Sequence, residues 1–315
     1  MANSSPQLVV RQSRRALGTV VEVLLCGADE GYLVSAAEEV FAEVERLEAA
    51  LSVFRPTSEV SRINAHAAAG AVRTEQWLFD LLQESAALSA ETEGAFDFAL
   101  GPLVSLWRDA RRSRCPPDAK AVDDALTRCG AAQVELDPSS VLVRFRRDGV
   151  ALDLSAIGKG YVVDATAELL RGLGVPAALI QAGWSSVYAL GAPPGETGWR
   201  VGVSHPLRPD ERLAVVALTD QALGVSANSE QAFEHGGRSY GHMLDPCTGW
   251  PVEGALCAAV VAPTATAADA LSTACFVRGA GLARRVCERR SEAGALLLSG
   301  SDSATTFGRA QWLSP

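Results

Sequence analysis

Apolar residues recur at helical spacing between 33 and 52. Leu33, Ala37, Val40, Phe41, Val44, Leu47 and Leu51 fall on one face, which predicts an amphipathic helix. Ahead of it, residues 19–25 are apolar and rich in β-branched side chains apart from Glu22, and a first strand is predicted over 17–26. Residues 1–15 are polar and read as loose, so 1–16 is set apart as a flexible N-terminal segment. Ser-Val-Phe-Arg-Pro-Thr-Ser-Glu (52–59) breaks the first helix, and a second is predicted at about 75–90. Gly94-Ala95-Phe96-Asp97 and Gly101-Pro102 punctuate the pattern. Residues 108–120, rich in Arg, Pro and Asp, predict a surface loop, with a short helix at 121–129. Further strands are predicted at 141–146, 151–154, 177–181, 186–190, 199–204, 213–218, 257–262 and 294–299. Helices are predicted at 161–173, 266–278 and 280–290, with a loop-rich stretch at 228–256. No repeat and no clean linker interrupts the chain. The expected fold is α+β: antiparallel strands with packed helices, as two interleaved lobes of one domain over 17–315.

Composition narrows the partners. Among 315 residues there are 28 basic and 37 acidic side chains, a net charge of −9, which argues against a nucleic-acid binder with a broadly basic surface. Hydrophobic content of 48% and charged content of 21% are those of a globular chain long enough to bury a large core. The seven cysteines are odd in number and show no C-x-x-C spacing, so they read as small buried residues in a reducing compartment. Ser13-Arg14-Arg15 faintly resembles a twin-arginine signal, but Glu22 interrupts the apolar run behind it, and a cytoplasmic form is expected over an exported one. No apolar stretch reaches the roughly 18–20 residues that span a bilayer, so no transmembrane segment is predicted. Lys120 and Lys159 are the only lysines, and Lys159 stands out as a point charge kept where arginine would not fit.

Several familiar motifs fail. Around Ile157-Gly-Lys-Gly160 the upstream glycine of a phosphate loop is replaced by Asp153, and Gly rather than Ser or Thr follows the lysine. Gly172-Leu-Gly174 follows a predicted helix, with Pro176 inside the motif, which excludes a dinucleotide turn. His66, His205, His235 and His242 are not at metal-ligand spacing.

Three segments carry more. Asp153-Leu-Ser-Ala-Ile-Gly-Lys159-Gly160 runs from a predicted strand into a helix, whose free N–H groups and lysine favour an anion. Asp269 and Thr273, at i and i+4 on a predicted helix, share a face with Ser272 adjacent, a hard oxygen set suited to Mg²⁺. His242, three residues before Asp245-Pro and followed by Thr248-Gly249, is an imidazole presented by a tight turn, a base for neutral pH. Each alone is as well explained by ordinary structure: a strand-to-helix turn, an acidic first helical turn, a hairpin.

Together, and in this order, the three segments resemble the FAD:protein FMN transferase (ApbE) family. Leu17-Gly-Thr19 looks like the family's Met-Gly-Thr, and residues 51–64 are similar to its S-x-Y-x-x-x-S-E-x-x-x-x-N segment. Thr92-Glu-Gly-Ala-Phe-Asp97 with Gly101-Pro-Leu103 and Trp107 resembles its T-x-G-A-F-D…G-P-L…W segment, so the likeness spans 17–300. The resemblance implies a T-fold-type architecture and Mg²⁺-dependent transfer of FMN from FAD to a Thr or Ser hydroxyl of an acceptor flavoprotein, a redox subunit, with release of AMP. It implies metal held by Asp269, Thr273, Ser272 and the carbonyl of Ala156, with FAD against Leu17, Phe54, Ala95, Phe96, Asp97, Asp153, Lys159 and Leu244. His242 is the implied base, Lys159 an added charge, and the rings of Phe54 and Phe96 suit a flavin or adenine. Departures are Phe54 for a common Tyr, Leu17 for Met, Gly183-Trp184-Ser185 where Gly-Gly is usual, and Ser226-Ala227-Asn228 for Ser-Gly. Two alternatives use the same residues: hydrolysis of FAD to FMN and AMP, and an FAD carrier without turnover.

Overall fold

The second strand shows why the central sheet is apolar on both sides. Val21, Val23 and Leu25 point to one face at 0–1% exposure, and Leu24 and Cys26 point to the other. In the computed structural model, which describes residues 8–227, 232–300 and 304–313, that strand lies in an eight-stranded antiparallel sheet. The order across it is Leu8–Ala16, Thr19–Gly27, Ala177–Ala182, Ser186–Leu190, Gln221–Ala227, Ala255–Ala262, Gly294–Ser299 and Thr305–Gly308. The helices Glu30–Leu51, Gly158–Gly172 and Ala265–Arg278 bury one face in the main core. A smaller sheet of Trp199–His205, Arg208–Leu218 and Trp312–Leu313 covers the other, meeting Val187, Ala189, Leu223 and Val261.

Between the helices Glu30–Leu51 and Gly158–Gly172 the chain leaves this sheet. It builds the helices Glu59–His66, Gln76–Glu91, Gly101–Ser113 and Ala119–Leu126 and the three-stranded sheet Val72–Arg73, Leu142–Phe145, Val134–Asp137. The mixed class of antiparallel sheets with packed helices is the observed one.

Four local expectations are corrected. Residues 8–16 are an edge strand, paired along their whole length with Thr19–Gly27, rather than loose; their mostly exposed pattern hides a strand that buries little. Residues 1–7 lie outside the described residues. The loop expected at 108–120 is helix as far as Ser113, because Trp107 and Ala110 bury one side while Asp109 and Arg112 face out. Residues 151–154 make no ladder. Instead Asn64 pins them, accepting from the Leu152 N–H at 2.7 Å and donating to the Leu152 carbonyl at 3.0 Å. The strand Gln221–Ala227, central in the sheet, has no sequence signal because Gly224 and Ser226 dilute its pattern.

Candidate active site

Asp269 is placed by two glycines. A Cβ on Gly224 would stand 2.3 Å from the Ala268 carbonyl, and one on Gly160 would stand 2.2 Å from the Ala265 oxygen. Only bare backbone lets the helix Ala265–Arg278 sink this far between the sheet and the helix Gly158–Gly172. Asp164 locks the contact, its carboxylate accepting from the N–H groups of Ala265 and Thr266 at 2.7 Å each. Gly160→Ala is therefore expected to cost about 1–3 kcal/mol or more, because the obstructing atoms are backbone. A urea unfolding midpoint equal to that of the parent protein would show the contact to be loose.

In this setting Asp269 is 6% exposed. Its carboxylate accepts from the Gly160 N–H at 2.7 Å and from the Ser186 hydroxyl at 2.7 and 2.8 Å. Burial pushes its pKa up to about 6, opposed by the Lys159 charge and these hydrogen bonds. Thr273, one turn on, is partly buried, with its hydroxyl 3.3 Å from that of Ser226. Ser272 is 1% exposed; its hydroxyl donates to the Asp269 carbonyl at 2.9 Å and lies 2.9 Å from Ser226 Oγ. Ala156 sits partly buried in the turn just before the helix that carries Lys159 and Gly160.

His242 approaches from the third segment. Its Nδ1 is enclosed and makes no hydrogen bond among the described residues. Burial, then the charges of Arg111 and Lys159, lower its pKa to about 4, so the imidazole is neutral at pH 7. The Lys159 charge is felt at both Asp269 and His242, so the three segments lie within charge range of one another. A surface cleft of about 780 Å³, lined by Arg238, Gly241, Glu253 and Gly254 among others, runs up to the residue before His242.

The remaining predicted contacts divide. Phe54 is 69% exposed, with the Arg108 guanidinium 4.5 Å from its ring centroid. Arg108 in turn reaches Asp153 at 3.7 Å, and Asp153 accepts from the Ser155 N–H at 3.0 Å. Leu17 sits in a two-residue hairpin turn at φ 56°, partly buried against the main core. Leu244 packs with Trp250 under the His242 loop. Phe96, at 1% exposure, lies with its ring inside the main core beside Ala95. The Asp97 carboxylate is engaged by the N–H groups of Ala99 and Ala131 at 2.7 Å each, and burial raises its pKa. Trp184 is 83% exposed on its turn, and Asn228 lies outside the described residues. Sequence reading missed Ser186, the hydroxyl on the carboxylate, because nothing in its own strand marks it.

The model of the ApbE family matches residues 17–297. The chain belongs to the ApbE family. Among ApbE-family relatives, a FAD:protein FMN transferase of Treponema pallidum is 34% identical over 289 residues, covering 86% of this chain and 80% of its own. One from Klebsiella pneumoniae is 32% identical over 261 residues, covering 82% and 79%. Two solved ApbE structures share the fold. The ApbE protein of Thermotoga maritima has a TM-score of 0.87 at 26% identity, over 95% of this chain and 96% of that one. The apo flavinyl transferase ApbE of Pseudomonas stutzeri has a TM-score of 0.80 at 26% identity, over 96% and 95%.

Proposed function

We propose that this ApbE-family chain is a Mg²⁺-dependent FAD:protein FMN transferase, moving FMN from FAD to a Thr or Ser hydroxyl of an acceptor flavoprotein. The acceptor oxygen bonds to the FMN-side phosphorus, the bond to the bridging oxygen breaks, and AMP leaves. The observation that carries the reading is the buried Asp269 carboxylate, fixed by Gly160 and Ser186 on a helix that also presents Thr273.

That donor set fits a small hard dication: one carboxylate whose burial disfavours its charge, with the Ser186 hydroxyl on it and the Thr273 hydroxyl one turn along the same helix. Asp269 and Thr273 would hold it, with the carbonyl of Ala156. Ser272 fits less well, since its hydroxyl is already engaged by the Asp269 carbonyl and Ser226. The bound ion supplies Lewis-acid neutralisation of the diphosphate. Lys159 adds a mobile positive charge where the phosphoryl group develops negative charge. His242, neutral at pH 7, accepts the acceptor's hydroxyl proton. Phe54 offers an exposed ring to a planar part of FAD. Phe54→Ala is expected to weaken FAD binding by roughly three- to tenfold, the value of one aromatic stack. Flavin fluorescence titration checks this, and an unchanged Kd would put the rings elsewhere.

The functional test combines the protein, FAD, MgCl₂ and a candidate acceptor domain, read by in-gel flavin fluorescence and by AMP. Equal amounts of labelled acceptor and AMP are expected. AMP without label would make water the acceptor, and neither product with a true acceptor would overturn catalysis.

A further inference from the structure

Resting on that functional reading and going beyond it, we infer that Arg278 is a positioning residue, tethering the loop that carries His242 to the helix that carries Asp269 and Thr273. Arg278 is in the last turn of Ala265–Arg278, five residues beyond Thr273. Its Nη1 donates to both carboxylate oxygens of Asp245, at 3.0 and 2.9 Å, and its Nη2 lies 2.7 Å from Cys247 Sγ.

Asp245 is the hinge post of the loop. Its N–H donates to the Trp250 carbonyl at 2.9 Å, and its own carbonyl accepts from Gly249 at 2.8 Å. Its carboxylate also accepts from the Cys247 N–H at 2.8 Å. Two residues before it, the Met243 carbonyl accepts from the Val252 N–H at 2.8 Å, so the strand leading back to His242 is stiff. The underside of the loop rests on the helix Gly101–Ser113, where Trp107 Nε1 donates to the Gly249 carbonyl at 2.7 Å. The Arg278–Asp245 pair is the charged link from this loop to the Asp269 helix, and both side chains are shielded, at 29% and 20% exposure. The guanidinium is held at two points, Nη1 on the Asp245 carboxylate and Nη2 beside Cys247 Sγ, which fixes its direction as well as its distance. The spacing of base to metal-ligating carboxylate is thereby set by one rigid helix and one fork. Arg278 touches no reacting atom in this scheme. Its effect passes through the loop.

The test is Arg278→Met, Asp245→Asn and the double variant, each assayed as the full chain with FAD, Mg²⁺ and the acceptor domain. Each single variant is expected to lower kcat for AMP release on the order of tenfold, since small misplacements of a catalytic group cost this much or more. KM for FAD and the Mg²⁺ affinity should stay within about twofold. The double variant should lose no more than either single one, because both remove the same link. Arg278→Lys keeps one contact and should recover part of the rate. Hydrogen exchange of the Asp245 N–H, which needs no turnover, should speed up in Arg278→Met while the Gly160 N–H stays protected. If the parent protein releases no AMP with a true acceptor present, the functional reading fails and the exchange result alone decides the tether. Unchanged exchange at Asp245, or single losses that multiply in the double variant, would overturn it.

Discussion

Asp269→Asn is expected to reduce Mg²⁺-dependent AMP release by 10³-fold or more while the chain still folds, since an aimed charge at a phosphoryl site is worth about 10²–10³ and the ion is lost as well. Asparagine keeps the volume and an acceptor oxygen for the Gly160 N–H, so little else changes. Asp269→Ala should lose activity equally but be less stable. It strands the Gly160 N–H and the Ser186 hydroxyl in a buried place, at about 1–3 kcal/mol per unsatisfied group. Calorimetry with Mg²⁺ alone and AMP release together check this. Full AMP release from the Asn variant would place the ion at other residues.

His242→Ala is expected to slow FMN transfer by about 10²–10⁴-fold with FAD affinity nearly unchanged, the usual range for removing a general base. A single-turnover assay with pre-bound FAD separates the two. Loss of binding with a normal bound-state rate would mean that His242 is a ligand contact. The same residue makes a stability prediction. Its folded pKa of about 4 lies below the unfolded value of 6.5, so the unfolded chain takes up the proton first. The contribution is present above about pH 6.5 and is lost as pH falls through 4, on the order of 3 kcal/mol in all. The alanine variant should therefore lose less stability than the parent between pH 6.5 and 4 in urea titrations.

Many of the residues that made the chain legible turn out to hold backbone in place. Ser58 caps the helix Glu59–His66, accepting from the Ser61 N–H, and Asn64 substitutes for a partner strand beside Leu152. Thr92 accepts from the Phe96 N–H at the end of its helix, and Asp97 gathers two N–H groups. A motif is read equally well whether its residues touch a ligand or pin the turn beside it. The motif marks Phe96 and Asp97, and the structure shows the framework work they do, Phe96 packing in the core and Asp97 holding a loop.

Local pattern also determined most of the elements. Strand 186–190 and the helix near 266–278 follow from their apolar runs, because each is buried on nearly every side. The i, i+4 pairing of Asp269 with Thr273 likewise follows from helical geometry alone. Tertiary structure decided the rest. The strand Gln221–Ala227 exists through ladders with distant partners, and Ser186 meets Asp269 across 83 positions of chain. The depth of Asp269, and with it the upward push on its pKa, depends on two glycines whose missing side chains matter only once another backbone lies against them. Contacts of that kind come from packing between remote segments, and no short window of residues contains both halves.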